Sequence, residues 1–195
     1  MKSIPGIAGK KGVLIVPIGR VPDVVCKAII PPIRTLFHLD ADILPPLPEA
    51  HYAHDTVRDQ YNAAHILHRL ETRFERTPLK ILGVVNVDLF IPVFTHVFGE
   101  AREGGQCALV SMYRLRDRLN QTRPSQDLIL ERTVKVALHE LSHLFSITHC
   151  THTGCIMHFS MNLQDLDTTS FTFCRYCNAY LKAAIHRFAQ AVSRG

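Results

Sequence analysis

Apolar and polar positions along the chain change their period several times, and each change marks an element. Residues 13–18 (Val-Leu-Ile-Val-Pro-Ile) form a short unbroken apolar run ending at Gly19, which predicts a buried first strand. Pro22 stands at a helix start, and Val24, Val25, Ala28 and Ile29 follow at helical spacing until Pro31 and Pro32 interrupt the pattern. Residues 42–54, with Pro45, Pro46 and Pro48, predict an extended connection. Near-helical recurrence of Tyr61, Ala64, Ile66, Leu67 and Leu70 predicts a second helix over 56–72, stopped by Thr77 and Pro78. Residues 80–87 carry the strongest strand pattern and are too apolar for an edge. Residues 88–92 then read as a turn, 99–105 as a polar loop and 106–115 as another strand. After a polar loop over 116–126, Ser125 or Asp127 can cap a helix over about 127–146, with Leu130, Val134, Ala137, Leu138, Leu141 and Leu144 as its apolar face. The chain beyond 150 is irregular until a last helix, 175–192. Strands alternating with helices over the first 150 residues, without internal repeats, predict an α/β sheet covered by helices.

Composition narrows this picture. A chain of 195 residues, 47% hydrophobic and 20% charged, is an ordinary soluble globular protein with room for one sizeable core and a small appendage. The formal charge of +5 is spread along the chain, with no basic run longer than Lys10 and Lys11, so no nucleic-acid partner is expected. No apolar stretch is long enough to cross a bilayer, and residues 1–6 lack a signal-peptide pattern. No membrane association is therefore expected, and the setting expected is cytoplasmic. There, thiols stay reduced, and six cysteines favour metal binding over disulfides.

Candidate chemistry changes the picture most at residues 139–150, His-Glu-Leu-Ser-His-Leu-Phe-Ser-Ile-Thr-His-Cys. His139 and His143, four apart, share a helix face and can point at one metal ion, with Glu140 beside them. His149 would lie about 600° round and roughly 9 Å along an unbroken helix from His143, so the helix must end between them and turn back. Three imidazoles leave zinc an open position for water, and a neighbouring carboxylate can move its protons. The expected ligands are His139, His143 and His149, with Glu140 as general base and acid in attack of a zinc-bound water on a peptide carbonyl. His51, His54, His65 and His68 read as ordinary surface histidines.

Cys150 and Cys155, with Cys174 and Cys177, make two short-range thiol pairs that suit a tetrahedral structural zinc. Disulfides or a redox Cys-x-x-Cys are the alternatives. Cys26 and Cys107 lie in apolar surroundings and read as core residues.

The His-Glu-x-x-His helix followed by a third histidine resembles the metzincin metalloproteases, whose pattern is His-Glu-x-x-His-x-x-Gly-x-x-His with a downstream methionine turn. Met157 stands at that methionine's place, and Ser146 replaces the glycine, where a positive φ costs serine roughly 1 kcal/mol. The full series of His139, Glu140, His143, His149, Cys150, Cys155, Met157, Cys174 and Cys177 resembles one family in particular, the archaemetzincins. The stretches 58–61 (Arg-Asp-Gln-Tyr), 87–90 (Val-Asp-Leu-Phe) and 98–101 (Phe-Gly-Glu-Ala) resemble it too. The resemblance implies an α/β (α+β) metzincin fold: a twisted mixed sheet with an active-site helix in residues 1–149, and a small zinc-stabilised subdomain in 150–195. It also implies that the strand near 107–113 borders the cleft. The function expected is that of a zinc-dependent metallopeptidase with two zinc ions per chain, one catalytic and one structural, acting as a monomer on peptide or protein substrates. The alternative is a zinc-binding module with little turnover. His158 and Phe159 are expected to shape the pocket beside the third histidine. Tyr113 and Tyr176 are the nearest candidates for a transition-state tyrosine.

Overall fold

The structure, a computed structural model, describes residues 12–117 and 124–192. The N-terminal residues considered above and most of the polar 116–126 loop lie outside these. A five-stranded sheet in the order β2-β1-β5-β9-β8 forms the centre. Its members are β1 (Gly12–Pro17), β2 (Asp40–Ile43), β5 (Lys80–Val85), β8 (Gly99–Ala101) and β9 (Cys107–Ser111). All neighbours are parallel except β8, which runs antiparallel to β9 at the edge. A second sheet, β3-β4-β6-β7, is built from β3 (His54–Asp55), β4 (Gln60–Asn62), β6 (Leu89–Ile91) and β7 (Phe94–Val97).

Strand side chains alternate between faces, and the core divides accordingly. Val13, Ile15, Leu82, Val84, Ala108 and Val110 pack with α1 (Asp23–Pro32) and α3 (Gln126–His143). Leu14, Val16, Ile81, Val85, Cys107 and Leu109 pack with α2 (Ala63–Phe74) on the other side. Residues beyond Cys150 carry α4 (Leu163–Thr168) and α5 (Arg175–Val192), which lay Leu163, Leu166, Cys177, Leu181 and Ala184 onto the first of these cores. Among the described residues, no helix is long and apolar enough to cross a membrane.

Several elements differ from expectation. Helix α1 runs through Pro31 and Pro32 into a π-helical turn, Ile33–Phe37. The carbonyls that lose a donor to these prolines belong to Lys27, which is exposed, and Ala28, which is half-buried, so water can serve them. Residues 56–62 are not helical. The Asp55 carboxylate accepts the backbone N–H groups of Val57 and Arg58 in a tight turn, Asp59 takes φ +52°, and Asn62 caps α2 through Ala64 N–H. Residues 89–97 form a β-hairpin rather than a turn. Residues 99–101, expected as loop, are the sheet's edge strand. The expected cleft-bordering strand, β9, is therefore interior, and β8 borders the cleft in its place.

Candidate metal centre

Helix α3 begins at Ser125, whose Oγ accepts the Leu128 N–H, and ends at His143. There the His143 carbonyl accepts Ser146 N–H and the Ser142 carbonyl accepts Ile147 N–H, the paired bonds of a Schellman cap. The left-handed position is Ser146, with φ +59°. Two more donors fix this end. Gly104 N–H reaches the His143 carbonyl at 2.8 Å, and the Lys80 ammonium reaches the Leu144 carbonyl at 2.9 Å and the Gly105 carbonyl at 2.7 Å. A cation suits a helix C-terminus, and burial draws the Lys80 pKa down.

This turn returns the chain so that one ligand atom each of His139, His143 and His149 lies within 4.8 Å of the others. Nε2 of His149 stands 3.2 Å from Nε2 of His139. The other ring nitrogens face backbone carbonyls: His139 Nδ1 is 2.8 Å from Ile156 O, and His143 Nδ1 is 2.7 Å from Ile147 O. A proton on each Nδ1 leaves Nε2 as the free electron-pair donor. Burial, then repulsion from His143, lowers the His139 pKa to about 3. Burial likewise lowers those of His143 and His149. Three neutral imidazoles converging on one point, with open space on the cleft side, fit a tetrahedral zinc with three protein ligands and an open fourth position.

Glu140 sits beside them on α3, buried, with Gly99 of β8 against its side chain. Burial, and then the Glu100 carboxylate, hold its pKa well above the usual carboxylate range, and a cation beside it favours the ionised form. A Cβ on Gly99 would lie 2.6 Å from Glu140 Cγ and 2.7 Å from the Leu109 carbonyl. Only glycine lets β8 pass this close to the carboxylate. The spacing of His139, Glu140 and His143 carries no trace of that requirement, although Gly99 falls in the 98–101 stretch.

The four sulfurs of Cys150, Cys155, Cys174 and Cys177 also lie within 4.8 Å of one another, and all are free thiols. Hydrogen bonding, led by the Cys177 N–H, lowers the Cys174 pKa to about 7, whereas burial raises those of Cys155 and Cys177. Four thiols at this separation fit a tetrahedral zinc. Cys26 and Cys107 are buried alone, and burial lifts their thiols to about 11 and about 12. Met157 is wholly buried, and its carbonyl accepts the Cys150 N–H at 2.8 Å. His158 places Nδ1 3.1 Å from the Cys150 carbonyl. Phe159 lies over His149, with ring centroids 4.8 Å apart.

The histidines and Glu140 line a cleft of about 410 Å³, bounded by β7, β8, α3 and residues 156–166. Its walls are mostly apolar, with Lys135, Glu100 and Glu103 as charged exceptions. Tyr113 and Tyr176 are exposed and do not line it.

Known proteins resemble this chain in sequence and fold. The family model described as Peptidase family M54 matches residues 42–183. An archaemetzincin of Pyrococcus furiosus is 34% identical over 181 residues, which span 90% of this chain and 94% of that protein. The crystal structure of an archaemetzincin from Methanopyrus kandleri superimposes with a TM-score of 0.81 at 31% identity, covering 92% of this chain and 98% of the other. That of a zinc-dependent peptidase from Methanocorpusculum labreanum gives 0.78 at 27% identity, covering 87% and 100%. With the family model spanning most of the chain and the relatives matched nearly end to end, the chain belongs to peptidase family M54, the archaemetzincins.

Proposed function

We propose that this zinc-dependent metallopeptidase hydrolyses peptide bonds at the His139, His143 and His149 centre, with Glu140 as general base and then general acid. The supporting observation is the convergence of three imidazoles at the floor of an open cleft, with a carboxylate from the same helix beside them. Zinc bound there supplies a Lewis acid that polarises a peptide carbonyl and makes water acidic. Glu140 takes the proton from the attacking water and passes it to the leaving amine. The Ile156 and Ile147 carbonyls hold the His139 and His143 rings in register. The outer edge of β8 offers backbone groups with which an extended peptide can pair. We assign Met157, wholly buried, to the methionine turn that underlies the histidines. Cys150, Cys155, Cys174 and Cys177 hold a second, structural zinc, which organises residues 150–195 as a subdomain beneath the 1–149 sheet and helix unit.

Glu140→Gln tests the assignment directly. Native protein and variant, both zinc-loaded, are compared on a peptide library. The variant should keep its zinc and lose about 10²–10⁴-fold in kcat/KM. Equal cleavage by both would remove Glu140 from the mechanism. A native protein that binds zinc but cleaves nothing would instead favour a binding module.

A further inference from the structure

Two of the stretches that resemble the family, 58–61 and 87–90, supply no part of the metal centre. Their side chains meet behind the β6–β7 hairpin. Arg114 grips Asp88 with two bonds of 2.6 Å. Gln60 Nε2 donates to Asp88 Oδ2 at 3.1 Å and to the Thr95 carbonyl of β7 at 2.9 Å. Arg58 lies 4.2 Å over the Phe90 ring and donates to the carbonyls of Phe94 and Thr95 at 3.4 Å. Gln60 is 8% exposed and the Asp88 side chain 13%, so this network is largely shielded from water and well satisfied. A register shift between Leu89 and Ile91 bends the hairpin at this point, and bulges re-aim side chains.

The hairpin so held is a wall of the cleft, which Ile91, Phe94 and Val97 line. Phe94 reaches the opposite wall, its ring 6.3 Å from Phe159, whose own ring covers His149. Both phenylalanines are 42% exposed. Two aromatic rings in contact across the cleft, tilted 45° to each other beside the histidines and still open to solvent, have apolar surface left to bury.

We propose that Phe94 and Phe159 form an aromatic clamp selecting peptides with a bulky apolar side chain next to the cleaved bond, and that Asp88, with Gln60, Arg58 and Arg114, is the positioning network that sets its width. The inference rests on the peptidase reading and deepens it. Phe94 and Phe159 act by touching the substrate, and Asp88 acts only through Phe94.

The test uses zinc-loaded full-length protein and two peptide series, varied as Phe, Leu, Ala, Lys or Asp on either side of the bond. Native protein should prefer Phe and Leu over Ala, Lys and Asp by about tenfold or more in kcat/KM. Phe94→Ala should raise KM for the Phe peptide about tenfold with little change in kcat, and leave the Ala peptide nearly unaffected. Asp88→Asn should reproduce this pattern with zinc content unchanged, and the double variant should be no worse than Phe94→Ala alone. Should Asp88→Asn disturb the fold, Arg58→Met, on the exposed side of the network, takes its place in the cycle. Equal use of all five side chains would overturn the clamp. Additive effects in the double variant, or a loss in kcat on every peptide, would overturn the positioning role. Equilibrium binding of the same peptides to zinc-loaded Glu140→Gln reads the preference without turnover. A protein that binds the Phe peptide best but cleaves none refutes the peptidase reading alone, and flat binding refutes the clamp.

Discussion

Ser146 holds the left-handed position of a Schellman cap, where glycine is the usual residue. Its strain is local, because the side chain is exposed and the backbone bonds on both sides are made. Ser146→Gly should therefore raise stability by up to about 1 kcal/mol, read as a higher melting temperature with unchanged zinc content. A fall would show that the serine makes a stabilising contact. At this scale the sequence was highly legible where chemistry follows helical period. Residues four apart share a face whatever the rest of the molecule does, so His139 and His143 could be placed from spacing alone. Gly99 could not. Its need arises where β8 passes Glu140, a meeting of segments some forty residues apart.

At the scale of elements, α3 is the member on which the others are registered. Arg132, 1% exposed, forms a bidentate pair with Asp167 of α4 at 2.7 Å and 2.6 Å, and donates to the Leu115 carbonyl at 2.9 Å. Asp167→Ala leaves a buried guanidinium without its anion, so a loss of about 3 kcal/mol is expected. Chemical denaturation measures it. A loss below about 1 kcal/mol would show that water replaces Asp167. Long elements with a single period were legible: β1, β5, α3 and α5 lie close to where the pattern puts them. The short ones were not. Strands β6, β7 and β8 have three or four residues each, too few to display an alternation. Tyr61 mimicked an earlier turn of the helical face but belongs to β4, ahead of the Asn62 cap, while the side-chain hydrogen bonds of Asp55 keep the residues before it out of a helix.

At the scale of the whole molecule, the central sheet separates two cores, and the part beyond Cys150 adds to only one of them. Cys177 and Leu181 of α5 are buried in the same core as Phe37 and Phe145, and Phe37 and Phe173 meet edge-on at 5.9 Å. If the four thiols hold the proposed structural zinc, removing it should loosen α5 and the ring contacts first and leave the α2 side of the sheet intact. Hydrogen exchange after chelation would show this as lost protection in 150–192 with protection kept in 63–74. Uniform loss would mean that the two cores unfold as one.

His149 and Cys150 are adjacent in the chain, and Cys150 is tied back to Met157 by its own N–H. Any ion that fixes the position of Cys150 thereby restricts where His149 can go, and the converse holds with equal force. In the language of linkage, if both centres hold ions as proposed, any coupling free energy between them must be reciprocal. If occupying the thiol centre tightens the imidazole centre by some factor, occupying the imidazole centre tightens the thiol centre by that same factor. Zinc titration of Cys174→Ser and of His139→Ala, each against native protein, measures the two factors separately. Unequal factors would mean that one substitution had done more than empty its site, and factors of one would mean that the two metals are held independently.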